Sequence, residues 1–142
     1  KDSFLKVKNE GINITIHAGE GDGVHSIQQA LDNGAKRIGH GVRIIEDISD
    51  ENILGDTADY VLQNNIPLEI CITSNLHTNM YKNPKDHPIS RLNNLGFNIS
   101  LNTDNRLMSN TSIENEIKVA RAAGIEDPTT LLRYSASDSF LN

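Results

Sequence analysis

Four short segments hold most of the side chains here that could bind a metal or move a proton: His17-Ala18-Gly19-Glu20, Gly39-His40-Gly41, Thr73-Ser74-Asn75 and Asn102-Thr103-Asp104-Asn105. His17 and Glu20 lie three residues apart, so an imidazole and a carboxyl share one rim, with Gly19 free to bend the backbone between them. His40, set between two glycines, has little flanking bulk to bury its ring, and glycines permit close approach of a ligand. Asp104 follows an apolar run, and a carboxylate buried without a partner costs several kcal/mol or changes its protonation. A divalent cation is such a partner. Zn²⁺ accepts neutral imidazole and carboxylate together, and a catalytic zinc site keeps one position open for water. A site with both kinds of group can donate one proton and accept another, which acid–base catalysis requires.

The elements that must position these groups are read from period. Apolar, β-branched runs of strand type alternate with amphipathic stretches, the signature of βα units and a parallel sheet. Residues 13–18 form a first strand, and Val24, Ile27, Ala30 and Leu31 have helical spacing until Gly34. A very short strand spans 36–39. Helical spacing returns over Ile53 to Leu62, with Asp50 in the N-cap position, and Pro67 opens a strand over 68–72. Residues 73–88 show no period and read as a long loop, followed by a short helix over 89–95 that Gly96 ends. A fourth strand covers 97–101. Thr111 with Glu114 has the spacing of a capping box for a helix through Ala123, and Asp127-Pro128 opens a last helix ending near Ser139. Four βα units fit either a small open sheet or half of a (β/α)₈ barrel. In both, chemistry gathers at the C-terminal ends of the strands, where all four polar clusters fall.

Composition narrows the partners. The net charge of −6, with no basic cluster longer than Lys36-Arg37, argues against nucleic acid and anionic membranes and for a small ligand. The single cysteine, Cys71, rules out an internal disulfide framework, and there is no apolar span of membrane length. The expected setting is cytoplasmic. Cys71 itself reads as an inert core residue, and His25, His77 and His87 as surface or packing residues.

Taken in order, HAGE, RIGHG and SLNTDN resemble the motifs of the adenosine deaminase family of metal-dependent (β/α)₈-barrel hydrolases, along essentially the whole chain. The resemblance implies hydrolytic deamination of adenosine and deoxyadenosine to inosine and ammonia, as in purine salvage. It implies His17 and Asp104 as zinc ligands, and Glu20 as the acid that protonates the purine ring nitrogen next to the carbon attacked. It implies His40 as the residue that holds the attacking water and takes part in its deprotonation. It places Gly19 and Asn105 against the substrate. Many members carry a second aspartate where this chain has Asn105, an amide able to donate to a ring nitrogen or to bond its own backbone. Ser74 and Asn75 are expected to shape the loop after the third strand.

The family also takes two zinc imidazoles from a His-x-His at the end of the first barrel strand, and no His-x-His occurs in these 142 residues. His77 and His87 do not replace it. Residues 1–142 are therefore expected to be the C-terminal portion of one barrel domain, starting at Lys1 rather than Met, with the N-terminal half of the barrel as its missing partner. Alone, such a piece should bind zinc poorly, catalyse nothing and leave two sheet edges open. The alternatives are an adenine deaminase, an adenosine-monophosphate deaminase, which would want a basic phosphate site not visible here, and a noncatalytic remnant serving as a binding or assembly module.

Overall fold

The computed structural model describes residues 2–132 and Phe140. After a helix α1 (Asp2–Asn9) come β1 (Ile14–Ala18), α2 (Val24–Asp32), β2 (Ala35–His40), α3 (Asp56–Gln63), β3 (Leu68–Ile70), α4 (Ile72–His77), α5 (Ile89–Asn94), β4 (Ile99–Leu101) and α6 (Ile113–Ala122). Short 3-10 helices occupy Val42–Asp47, Pro84–Asp86 and Pro128–Leu132.

The four strands are parallel and lie side by side in chain order, β1-β2-β3-β4. This order separates the two architectures that period alone leaves open and agrees with the expected barrel. A doubly wound sheet reverses direction at a switch point, whereas strands added always on the same side, through right-handed crossovers, put every helix on one face. The sheet is thus an arc of a barrel wall. Its helix-covered face is the core, built from Ile27, Ile38, Ile44, Val61, Leu68, Ile70, Leu92 and Ala120, all at most 1% exposed. On the concave face Arg37 meets Glu69 at 3.2 Å and donates to Thr15 Oγ1 at 3.1 Å.

The strands and α2 fall where period places them, within two residues. The differences lie at helix starts. Asp50 does not cap α3: the helix begins three residues after Ile53, which is 68% exposed, with Gly55 as its N-cap. The carboxylate that meets its first turn is that of Asp47, which accepts from the Ala58 N–H at 2.9 Å. Nor are residues 73–88 a loop throughout, for β3 stops at Ile70 and α4 starts at Ile72. Helical period is invisible there because the buried positions Thr73, Ser74 and Asn75 are polar. At α6 the N-cap is Ser112, whose hydroxyl accepts from the Asn115 N–H, and not Thr111. The Thr111 hydroxyl is buried and donates to Glu116 Oε1 at 2.8 Å. Asp127 does accept from the Thr129 N–H, at 3.1 Å, and the turn that follows is 3-10; the expected continuation over 133–139 lies outside the described residues. No described helix is long and apolar enough to cross a membrane.

Candidate active site at the strand ends

Strand register brings the first two clusters together. His17 pairs with Gly39 and Ala18 with His40, so the segment after β1 lies directly against the end of β2. Gly19 (φ +68°) makes the turn that returns Glu20 towards His40, and a Cβ added there would fall 2.6 Å from Ile27 Cδ1. His40 (φ +63°) and Asp104 (φ +54°) are themselves left-handed, a conformation that costs a non-glycine residue about 1–3 kcal/mol and is concentrated at functional sites.

Glu20 lies at the centre. Its Oε2 is 3.2 Å from His17 Nε2, and its Oε1 is 3.4 Å from His40 Nδ1. The two imidazoles lie with centroids 4.5 Å apart, tilted by 51°. Metal-binding atoms of His17, Glu20 and His40 all fall within 4.8 Å of one another. Asp104 approaches from β4, its Oδ2 4.0 Å from His40 Nε2. The His17 side chain is 63% exposed and that of Asp104 43%, whereas those of His40 and Glu20 are withdrawn to 5% and 13%. The candidate ligands thus face the concave side and the candidate proton-transfer groups lie behind them. Burial lowers the His40 pKa below the usual histidine value, with Glu20 and Asp104 acting against that effect and His17 adding to it. A neutral imidazole is the form that can exchange protons at neutral pH. His17, His40, Cys71 and Asp104 line a depression of about 400 Å³.

Two residues expected to shape a loop are part of this network. Ser74 Oγ donates to Asp104 Oδ2 at 2.9 Å, leaving the other carboxylate oxygen for a further partner. The Asn75 amide, fully buried, donates through Nδ2 to Glu20 Oε1 at 2.8 Å and lies 3.2 Å from His40 Nδ1. Both are aimed by the first turn of α4, whose Thr73 N–H is accepted by Glu116 Oε2 at 3.2 Å, a buried carboxyl from α6. His87, read as a surface or packing residue, is 3% exposed, and its Nε2 lies 3.2 Å from Asn75 Oδ1. His25 and His77 are exposed. Asparagine and serine after a strand are too common to mark Ser74 and Asn75 from sequence. Glu116 and His87 carry no local signal, since their partners lie 43 and 12 residues away.

Gly19 and Asn105 are both engaged locally. Gly19 donates its N–H to Ser26 Oγ at 2.8 Å, and its carbonyl accepts from the Arg43 N–H at 3.0 Å. Asn105 Oδ1 accepts from the N–H groups of Leu107 and Met108, both at 3.1 Å, so its amide nitrogen is the end left to face a ligand. Cys71 is buried and its thiol pKa is pushed up, first by desolvation and then by Asp104, Glu116 and other carboxylates, as suits an inert thiol.

A sequence model of the family described as adenosine deaminase matches residues 1–137. Adenosine deaminase 1 of Streptomyces coelicolor is 49% identical over 122 residues, an alignment covering 82% of this chain and 31% of that protein. The chain thus spans about a third of that relative's length. Among solved structures, an adenine deaminase from Arthrobacter aurescens superposes with a TM-score of 0.84 at 24% identity, over 98% of this chain and 42% of the other. An amidohydrolase from Burkholderia ambifaria with bound zinc superposes with a TM-score of 0.73 at 18% identity, over 87% of this chain and 34% of the other. Both likenesses concern the fold, and they agree with the barrel arc deduced from strand order.

Proposed function

Because this chain belongs to the adenosine deaminase family, we propose that it is part of a zinc-dependent enzyme that hydrolyses adenosine and deoxyadenosine to inosine and ammonia. The observation that carries the reading is the Glu20–His40 pair, a carboxyl and a neutral imidazole 3.4 Å apart, placed behind an exposed imidazole and an exposed carboxylate. In this reading residues 1–142 form the C-terminal portion of one barrel domain, and the remaining strands come from sequence before Lys1.

His17 and Asp104 fit a zinc ion by donor type and exposure, with two further imidazoles expected from outside the chain. A zinc ion held there would lower the pKa of a water beside it to about 7. The chain's own residues do the rest. Ser74 fixes one oxygen of Asp104 and leaves the other for the metal. Such outer partners orient ligands and strengthen binding. Glu20 delivers a proton from Oε2, the oxygen not engaged by Asn75, to the purine ring nitrogen next to the amino-bearing carbon, which makes that carbon electrophilic. The Asp104 carboxylate would take the proton of the attacking water, which His40 would orient from beside it. The amide nitrogen of Asn105 donates to an acceptor on the five-membered ring. Gly19, with both backbone polar groups already bonded, meets the ring only through its Cα. A cytoplasmic setting is in keeping with the buried, free Cys71.

The test is the fall in purine absorbance when the polypeptide restored upstream of Lys1 meets adenosine, with zinc supplied. Turnover of adenosine supports the reading. Turnover of adenine with none of adenosine would reassign the substrate, and no turnover of any aminopurine despite bound zinc would overturn it.

A further inference from the structure

The hydrogen bonds around Asn75 form a chain of forced assignments that starts at a backbone amide. The Ile89 N–H, at the start of α5, donates to His87 Nδ1 at 3.2 Å. A backbone N–H cannot accept, so His87 Nδ1 carries no proton, and a neutral ring must then carry its proton on Nε2. Burial favours the neutral ring, holding the His87 pKa down at about 4. The Nε2–H faces Asn75 at 3.2 Å and donates, which requires the amide oxygen at that end. The Asn75 nitrogen is thereby turned to Glu20 Oε1 at 2.8 Å and His40 Nδ1 at 3.2 Å, with Met80 Sδ a weaker neighbour at 3.7 Å. Without His87 the two ends of the amide are nearly equal in shape and nothing at that end selects between them.

We propose that His87, which touches none of the reacting groups, is a positioning residue: it latches the Asn75 amide so that its nitrogen donates to both Glu20 Oε1 and His40 Nδ1. Two consequences follow for the chemistry. Glu20 Oε1 is held as an acceptor, so the proton that Glu20 delivers sits on Oε2. His40 Nδ1 is likewise held as an acceptor, so the neutral ring carries its proton on Nε2, the nitrogen facing Asp104. A flipped amide would place a carbonyl oxygen against Glu20 and force the proton onto Oε1, away from the substrate.

The consequence for the proton that Glu20 delivers, and its kinetic test, rest on the deaminase reading; the latch itself does not. The latch is tested in the full-length, zinc-loaded protein by long-range proton–nitrogen correlation of labelled histidines, which is expected to show His87 as the neutral Nε2–H form at neutral pH. A proton on Nδ1, or a cationic ring, would overturn the latch whatever the enzyme does. Kinetically, His87→Phe keeps the ring's packing against Tyr81 and removes the donor. It is expected to lower kcat on adenosine by roughly 10–100-fold, with KM changed by less than about threefold. His87→Gln, whose amide can donate from the same place, is expected to recover most of kcat. Leu92→Val, a core change in α5, the helix that follows His87, should lower the melting temperature and leave kcat alone. If His87→Phe does not fold, Asn75→Asp decides, since it puts an acceptor where Glu20 and His40 need a donor. Near wild-type kcat in whichever variant decides would overturn the proposal. Absence of activity in the wild-type protein would instead count against the deaminase reading and leave the tautomer result standing.

Discussion

Replacing Glu116 by alanine tests how the site's second layer is supported. The Glu116 carboxyl is fully buried in α6, accepts from Thr111 Oγ1 at 2.8 Å and from the Thr73 N–H at 3.2 Å, and so stands at the N-terminal turn of α4 in place of a local cap. Truncation leaves the Thr73 N–H buried without an acceptor, at about 1–3 kcal/mol, and removes the Thr111 bond, at about 0.5–1.5 kcal/mol. Thr111 retains the bond it accepts from Asn115 Nδ2, so the lower part of that second range applies. The expected loss is therefore about 1.5–4 kcal/mol, read as a shift of the urea midpoint at unchanged slope. Because Ser74 and Asn75 follow Thr73 in the same turn, kcat should fall as well, while binding of the product inosine changes little. Glu116→Gln keeps one acceptor oxygen and should lose about half as much stability. A midpoint that stays put in Glu116→Ala would refute the claim that α4 is anchored from α6.

Further expectations follow from the same geometry. Ser74→Ala frees one oxygen of Asp104 and should weaken zinc affinity by roughly tenfold or more, measured by competition with a chromogenic chelator. Gly19→Ala combines a left-handed residue with a Cβ 2.6 Å from Ile27 Cδ1, so it should lower stability by more than the roughly 1–2 kcal/mol of the backbone conformation alone, visible as a lower melting temperature. The pH dependence of stability carries the mark of His87. Its folded pKa of about 4 lies below the unfolded value of 6.5, so the unfolded chain takes up the proton first as the pH falls. Stability is complete above about pH 6.5 and declines towards pH 4, by about 2 kcal/mol at pH 5 on the scale of 1.36 kcal/mol per pH unit. In His87→Phe the difference between the urea midpoints at pH 7 and pH 5 should shrink accordingly.

That His17, Glu20, His40 and Asp104 would lie close together was legible in the sequence, because each falls at or just after the end of a strand and strand ends share one rim in this architecture. His17, Glu20, His40 and Asp104 meet as strand alternation and the glycine turns require. The second layer was not legible. α3 and α4 take the carboxyls at their N-termini from Asp47 and Glu116, not from neighbours at the cap position, so a local capping rule placed α3 too early and missed α4. Asn75 and His87 are polar residues satisfied by other polar residues at full burial, a condition that no periodicity reports. Period alone did not separate an open sheet from a barrel, since both share the same βα alternation; the resemblance of HAGE, RIGHG and SLNTDN pointed to the barrel, and the uninterrupted β1-β2-β3-β4 order agrees with it.

In the proposed reaction Glu20 supplies the proton that makes the purine ring electrophilic. The direct measurement is the turnover of adenosine by Glu20→Gln in the restored full-length protein, with zinc content determined on the same sample. Zinc is expected to bind as in the wild type and kcat to fall by roughly 10²–10⁴-fold, the usual contribution of a positioned acid. A zinc-loaded Glu20→Gln enzyme with kcat near the wild-type value would contradict that role.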